Sequence, residues 1–393
     1  MLDLSRVLAG PWASQLLGDM GAEVIKIEKP GIGDDTRAWG PPWLEDGEGR
    51  STGEAAYYLS TNRGKRSVTI DFTRPEGAEL VRRLAAQSHI LLENLKVGGL
   101  RKYGLDWSSL REINPRLVYC SITGFGQTGP YRERAGYDVL IQAMGGLMSV
   151  TGPPEEPIKA GVALCDLLTG MYATVGVLAA LRHAEQTGQG QHIDLALLDV
   201  QVACLANQAL NFLTTGVNPR RWGNAHPNLT PYQAFATADG FVIVAVGNDA
   251  QFRRFCETAG RPEVASDPRF GSNAARVENR PALIEIISGF MAERPSRFWL
   301  QALEAVGVPC GPINQLDAVF ADPQVQARGI RMELDHPTGG RVPQVASPLH
   351  LSATPVTYDR PPPLLGEHTA EVLGESLGLP SAEIERLRRD GIV

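Results

Sequence analysis

The first 28 residues limit the fold more than any other stretch. Residues 2–8 read as a short strand, Trp12–Met20 carries helical apolar periodicity, and Val24-Ile-Lys-Ile-Glu28 is a second strand. Ala9-Gly10-Pro11 turns the chain between the first two, and Gly21 stops the helix as a C′ glycine does. Such a strand–helix–strand unit predicts a doubly wound parallel α/β sheet. Glu28 ends the second strand, where a dinucleotide enzyme places its ribose-binding acid. The first turn lacks G-x-G-x-x-G, which argues against a nicotinamide or flavin site there.

The alternation continues. Strands are expected at Ser67–Phe72, His89–Glu93 and Leu117–Ile122, with helices at Pro75–Gln87 and Leu110–Asn114. Residues 30–54 form a polar, Gly- and Pro-rich loop with Arg37, Trp39 and Trp43, and loops of that length are usually functional. Ser60–Arg66 gathers Arg63, Lys65 and Arg66 in one turn, which suits either solvent or a phosphate. Gly124-Phe-Gly-Gln-Thr-Gly129 matches a dinucleotide fingerprint by letter. Pro130 and the run Arg132-Glu-Arg134 follow, so no helix opens on the last glycine as a pyrophosphate site requires.

Further on, a helix is expected over Asp138–Met148, a long apolar helix to about Glu185, a strand at His192–Leu195 and one helix over Ala196–Leu213. Phe235–Val246 reads as a hairpin around Asp239-Gly240, followed by three helices. The expected division is a large α/β domain from 1–213 and 326–393, a linker at 214–231, and a smaller α+β domain with its return linker at 232–325.

The net charge of -7, from 37 basic and 44 acidic residues, disfavours a general nucleic-acid binder. Five scattered cysteines without a CxxC pair argue against a disulfide framework and a zinc site, and fit a reducing cytoplasm. No signal or transit peptide stands out, and the opening inside a strand suggests that a few residues precede this start. The apolar run 163–181 is long enough to span a bilayer. It holds Asp166 and several small residues, so it is expected to be a core helix, with no membrane association.

Asp166 is the anomaly of that helix. A carboxylate among apolar residues costs several kcal/mol unless it is paired, protonated or beside a cavity. A helix cap and a nucleophile or base both account for it. No G-x-S-x-G, H-E-x-x-H or Walker A sequence is present, and the seven histidines show no metal-ligand spacing. What remains is a lone acid, basic residues on loops and Gly-rich loops. That set suits carboxylate chemistry on an anionic, phosphate-bearing ligand.

Several segments carry a resemblance. Val7-Leu-Ala-Gly-Pro-Trp-Ala13, Gly21–Asp34, Asn62-Arg-Gly-Lys-Arg-Ser67, Glu93-Asn94, Ile113-Asn-Pro-Arg-Leu117, Gly124-Phe-Gly126 and Ala135-Gly-Tyr-Asp138 together resemble the class III CoA-transferases. That family includes formyl-CoA and carnitine CoA-transferases and the α-methylacyl-CoA racemases. Ala225-His-Pro-Asn-Leu-Thr-Pro-Tyr-Gln-Ala-Phe235 is similar to the branch acting on dicarboxylic acids such as succinate with glutarate or hydroxymethylglutarate.

The resemblance implies a Rossmann-like open parallel-sheet domain built from both termini, a smaller domain, and an interlocked homodimer. It implies an acyl-CoA and a small free acid as substrates and no permanently bound cofactor or metal. Asp166 matches the catalytic aspartate, which forms an aspartyl anhydride and then an aspartyl-CoA thioester. Arg37, Lys65, Asn94, Leu95, Arg101, Lys102, Tyr137 and Asp138 match CoA-binding positions. Oxyanion donors are expected from Gly145-Gly146 or Gly247-Asn248. The alternative is an acyl-CoA racemase or epimerase working at the α-carbon. Racemases of the family carry histidine at the place of Tyr137, so a phenol stands where an imidazole would move the α-proton. For a second carboxylate on the substrate, Arg134, His226 and Arg253 are the candidates.

Overall fold

In a computed structural model, which describes residues 1–338 and 340–393, six parallel strands form one sheet. They are β1 (Leu2–Asp3), β2 (Val24–Glu28), β3 (Lys65–Thr69), β4 (Ile90–Glu93), β5 (Val118–Thr123) and β6 (His192–Ala196). Their order is β3-β2-β1-β4-β5-β6, and Leu2 faces both Ile25 and Leu91. The chain runs outward from β1 to β3, then returns to lay β4 on the other side of β1. The loops leaving β1 and β4 therefore diverge at a topological switch point, where open α/β sheets receive ligands.

Both sheet faces are covered, as a parallel sheet requires. The period-two alternation sends Leu91 and Tyr119 to one face, and Ile90, Leu92, Val118 and Cys120 to the other. The first face packs on the helix Pro75–Ala86 and on the helices Thr369–Leu377 and Ser381–Arg389. The second packs on α1 (Ala9–Asp19) and, beyond the short α2 (Asp138–Met144), on the long α3 (Leu164–Thr187). Gly170 lets α3 approach closely, since a Cβ there would meet the Ala9 carbonyl oxygen at 2.7 Å.

Helix α3 has enough length and apolarity to cross a membrane. In this fold it buries Cys165, Thr169, Gly170, Ala173, Thr174, Val177 and Ala180. Its other side leaves Met171, Tyr172, Val175 and Leu178 exposed.

Two compact units divide the chain: 1–147 with 160–210 and 324–393, and 148–159 with 211–323. Within the second, Tyr232–Ala236, Phe241–Ala245 and Cys310–Pro312 form an antiparallel sheet around a core of Phe235, Phe252, Phe255 and Trp299. The segment 148–159 joins this unit through Arg221, which donates to the Pro153 carbonyl at 2.9 Å, and through the Gly223 N–H, which donates to the Gly152 carbonyl.

Three local expectations change. The single helix over 196–213 is two helices, Leu197–Ala203 and Ala206–Thr215, broken where Ala206 takes φ 46°. The loop over 30–54 contains a hairpin, Trp43–Glu45 with Ser51–Ala55. The Pro-rich 335–363 overlaps a second hairpin, Arg331–His336 with Gly340–Val345, whose two strands leave Pro343 at a sheet edge where a missing N–H is tolerated.

Candidate active site

A cavity of about 360 Å³ opens at the switch point. Arg6–Ala9 after β1, Asn94–Val97 after β4 and Ile122–Gly124 at the end of β5 line it, together with Arg132–Tyr137 and Asp166. The two diverging loops are tied by Asn94. Its Oδ1 accepts the Arg6 N–H at 2.9 Å, and its Nδ2 donates to the Arg6 carbonyl at 2.6 Å. Val7 next to it sits at φ 71°, a left-handed conformation that a β-branched residue adopts only under constraint. The constraint is visible: its N–H donates to Asp34 Oδ1 at 3.1 Å.

Beneath these loops lies a buried ionic layer. Lys26 pairs with Asp34 at 2.8 Å and Lys65 with Asp3 at 3.4 Å. Burial pushes the Asp34 carboxyl up, but the Lys26 ammonium and its hydrogen bonds outweigh that and hold it at about 2. For Lys65 burial wins over Asp3 and lowers the ammonium to about 7. Arg37 grips Glu28 with two nitrogens, at 2.9 and 2.8 Å, lies over the Tyr58 ring and donates to the Pro363 carbonyl. Glu28, where a ribose ligand was conceivable, is thus the counter-ion of Arg37.

Asp166 occupies the first turn of α3 and faces the cavity. Asp138, at the start of α2, caps this helix from outside. Its Oδ1 accepts the Cys165 N–H at 2.9 Å, and its Oδ2 accepts from Gln142 Nε2 at 2.7 Å. Gln142 Oε1 in turn accepts the Ala160 N–H at 2.8 Å, so α2 holds both the lead-in and the first turn of α3. Burial first, and then the Asp138 charge, raise the Asp166 carboxyl to about 7. A carboxylate with that value is poised between its two protonation states at neutral pH. The neighbouring Cys165 is no rival nucleophile: burial, then the two aspartates, push its thiol up to about 12.

The residues expected at the CoA site separate into three groups. Asn94, Leu95 and Tyr137 line the cavity with Asp166. Arg101 lines a neighbouring cavity of about 230 Å³ with Glu93, Trp107 and His192, and Lys96 borders both cavities; Lys102 lies over the Tyr103 ring. Arg37, Lys65 and Asp138 are engaged inside the fold and do not line the main cavity. The glycines expected as oxyanion donors use their N–H groups locally, Gly145 on Ile141, Gly146 on Ala143 and Gly247 on Gln251. The N-terminus of α1 has no side-chain cap and turns Leu8 and Ala9 toward the cavity instead. Arg6, Lys96 and Arg132 were not among the expected residues, yet all line it. Lys96 follows a strand end that the sequence shows, whereas Arg6 falls inside the strand expected over 2–8, which ends at Asp3.

Among the described residues, no cluster of His, Cys, Asp and Glu suits a metal ion. The arrangement is a half-buried carboxylate, Asp166, beside a cavity rimmed with cations, while the other lining carboxylates, Asp35 and Glu133, pair with Arg6 and Arg132. It can attack an electrophilic carbonyl carbon and hold a phosphate-bearing leaving group nearby.

Comparison with known proteins identifies the family. The family model described as CoA-transferase family III matches residues 1–369. A succinate–glutarate CoA-transferase of Agrobacterium fabrum is 55% identical, over 95% of this chain and 94% of its own. The human succinyl-CoA:glutarate CoA-transferase is 44% identical over 100% of this chain and 88% of its own. A crystal structure of a CAIB/BAIF family protein from Brucella suis superposes with a TM-score of 0.83 at 50% identity, covering 95% of this chain and 97% of that one. With the sheet order, the switch-point cavity and a match over most of its length, the chain belongs to CoA-transferase family III.

Proposed function

We propose that this enzyme moves CoA between dicarboxylic acids, from succinyl-CoA or a similar dicarboxylyl-CoA to a free acid such as glutarate, with Asp166 as the covalent carrier. The observation that carries the reading is the Asp166 carboxylate itself: it faces the cavity, is held by the Asp138 cap, and has its proton affinity raised into the neutral range. The relatives named for succinate and glutarate supply the acid class.

The steps balance without another reactant. The Asp166 carboxylate attacks the thioester carbonyl carbon, the C–S bond breaks, and CoA leaves as thiolate from a mixed anhydride. The thiolate then attacks the aspartyl carbonyl, forming an aspartyl-CoA thioester and releasing the first acid as carboxylate. The incoming carboxylate attacks that thioester and expels thiolate, which finally attacks the new acyl carbonyl and restores Asp166. Splitting the exchange this way divides one hard transfer into easier steps, in which the free acid meets only the enzyme-bound thioester. Backbone N–H groups of the uncapped α1 start are suited to the developing oxyanion.

CoA enters along Lys96 and Arg101, whose cations suit its phosphates, and Asn94, Leu95 and Tyr137 shape the path to Asp166. The enzyme works as a homodimer in which a second copy covers the exposed Met171, Tyr172, Val175 and Leu178 of α3.

The test is transfer from succinyl-CoA to glutarate, followed by mass spectrometry, with hydroxylamine to trap the enzyme thioester. Asp166→Ala should abolish transfer and the hydroxamate at residue 166. Retained transfer in that variant sinks the covalent scheme. Deuterium uptake at the α-carbon of a 2-methylacyl-CoA without any acid acceptor would point to α-proton chemistry instead.

A further inference from the structure

The cavity with Asp166 is rimmed by several cations, and their surroundings differ. Arg6 pairs with Asp35 at 3.0 Å, and Arg132 with Glu133 at 3.6 Å. Lys96 borders the Arg101 cavity as well, so it belongs to the path of the CoA phosphates. Arg134 is different. It lines the cavity that holds Asp166, and among the described residues no carboxylate lies within ion-pairing distance of it.

Its position is nevertheless held. The guanidinium lies over the Tyr131 ring at 4.5 Å, and Tyr131 meets Phe125 edge-on at 5.6 Å. The Arg134 N–H donates to the Tyr131 carbonyl at 2.9 Å, which closes the loop into a turn. Two residues on, Gly136 packs on Gly124 so closely that a Cβ there would meet the Gly124 Cα at 2.5 Å. This contact pins the loop to the end of β5. The result is a pre-positioned cation, stacked on an aromatic platform and lacking a counter-charge, three residues before Tyr137 on the rim of the Asp166 cavity. A planar guanidinium fork matches a carboxylate in bidentate geometry.

We propose that Arg134 is a specificity-determining residue that binds the distal carboxylate of the dicarboxylyl group while Asp166 attacks its thioester end. This rests on the reading of Asp166 as the acyl carrier. It gives the site a reason to prefer a dicarboxylic acid over the monocarboxylic acid that lacks the distal carboxylate, because the guanidinium can make charge-assisted hydrogen bonds only with the former.

The experiment compares Arg134→Gln and Arg134→Lys with the parent enzyme. Three quantities are measured at one ionic strength: kcat/KM for glutaryl-CoA, kcat/KM for butyryl-CoA, and the inhibition constant of desulfo-CoA, which carries the phosphates and no acyl group. The expected result for Arg134→Gln is a ten- to hundredfold loss for glutaryl-CoA, on the order of one charge-assisted hydrogen-bond pair. Butyryl-CoA and desulfo-CoA should change less than twofold, and Arg134→Lys should recover part of the loss. An equal rise in the desulfo-CoA constant would make Arg134 a phosphate contact and overturn the proposal. So would unchanged glutaryl-CoA kinetics. Failure of the parent enzyme itself to turn over glutaryl-CoA would instead count against the dicarboxylate reading.

Discussion

Asp138 Oδ1 accepts the backbone N–H of Asp166 at 3.4 Å, in addition to that of Cys165 at 2.9 Å. The carboxylate that positions Asp166 is therefore also the like charge that resists its ionisation. Asp138→Asn keeps an acceptor for the cap and removes the charge. The acid limb of the kcat/KM profile, set by a carboxyl near 7 in the parent, should move to lower pH in this variant. Asp138→Ala loses the cap as well and should reduce kcat tenfold or more, with a smaller effect on KM. An unmoved limb in Asp138→Asn would separate Asp138 from the ionisation of Asp166.

The same shift makes a stability prediction. In the folded protein, burial and then the Asp138 charge raise the Asp166 carboxyl to about 7, well above the ordinary carboxylate range. Between that range and the raised value the folded protein holds a proton that the unfolded chain has released, so stability falls as pH rises through that window. Asp166→Asn removes this cost. At pH 8 the variant should be more stable than the parent by about 1–2 kcal/mol, allowing for solvent at the cavity mouth. The gap should shrink as pH is lowered to 4. Denaturant titrations at the two pH values measure it, and a gap independent of pH would contradict the shift.

Arg37 and Lys65 present a different case. Both are engaged inside the fold, Arg37 with Glu28 and Lys65 with Asp3. Arg37→Met or Lys65→Met leaves a buried carboxylate unpaired and should cost about 3–5 kcal/mol. The KM for acyl-CoA of the protein that remains folded should be unchanged. A raised KM with undiminished stability would show that these cations reach the CoA phosphates.

On α3, Val175 is 66% exposed in the middle of an apolar face formed with Met171, Tyr172 and Leu178. If a second copy covers this face, Val175→Glu places a charge in the interface and should shift the protein from dimer to monomer in sedimentation. A parent that sediments as a monomer removes the proposed interface.

The sequence made the sheet legible because its strands are short, apolar and separated by clear helix signals. Val24–Glu28 coincides with its expected bounds, since an apolar β-branched run after Gly21 leaves little choice. The break before Ala206 was not legible: no glycine or proline marks it, and the positive φ arises from tertiary context. Asp166 was recognisable from its apolar setting, whereas its link to Asp138, 28 residues earlier, exists only once α2 and α3 are side by side. The basic turn 63–66 misleads for a related reason. A charge cluster reads as a ligand site, and nothing local shows that Asp3, Asp19 and Glu371 will neutralise it.

Those distant partners set a schedule for synthesis. Arg37 reaches the Pro363 carbonyl, Arg63 the Val345 carbonyl and Arg66 the Glu371 carboxylate, separations of 326, 282 and 305 residues. A ribosome adding about 5–20 residues per second needs roughly 15–60 s to deliver them. During that interval the first three strands and their loops exist without the chain that satisfies these guanidinium groups and completes the cover of one sheet face. Until the last tenth of the chain emerges, the sheet that carries the cavity loops lacks the full set of these partners, and its contacts are completed only as translation ends.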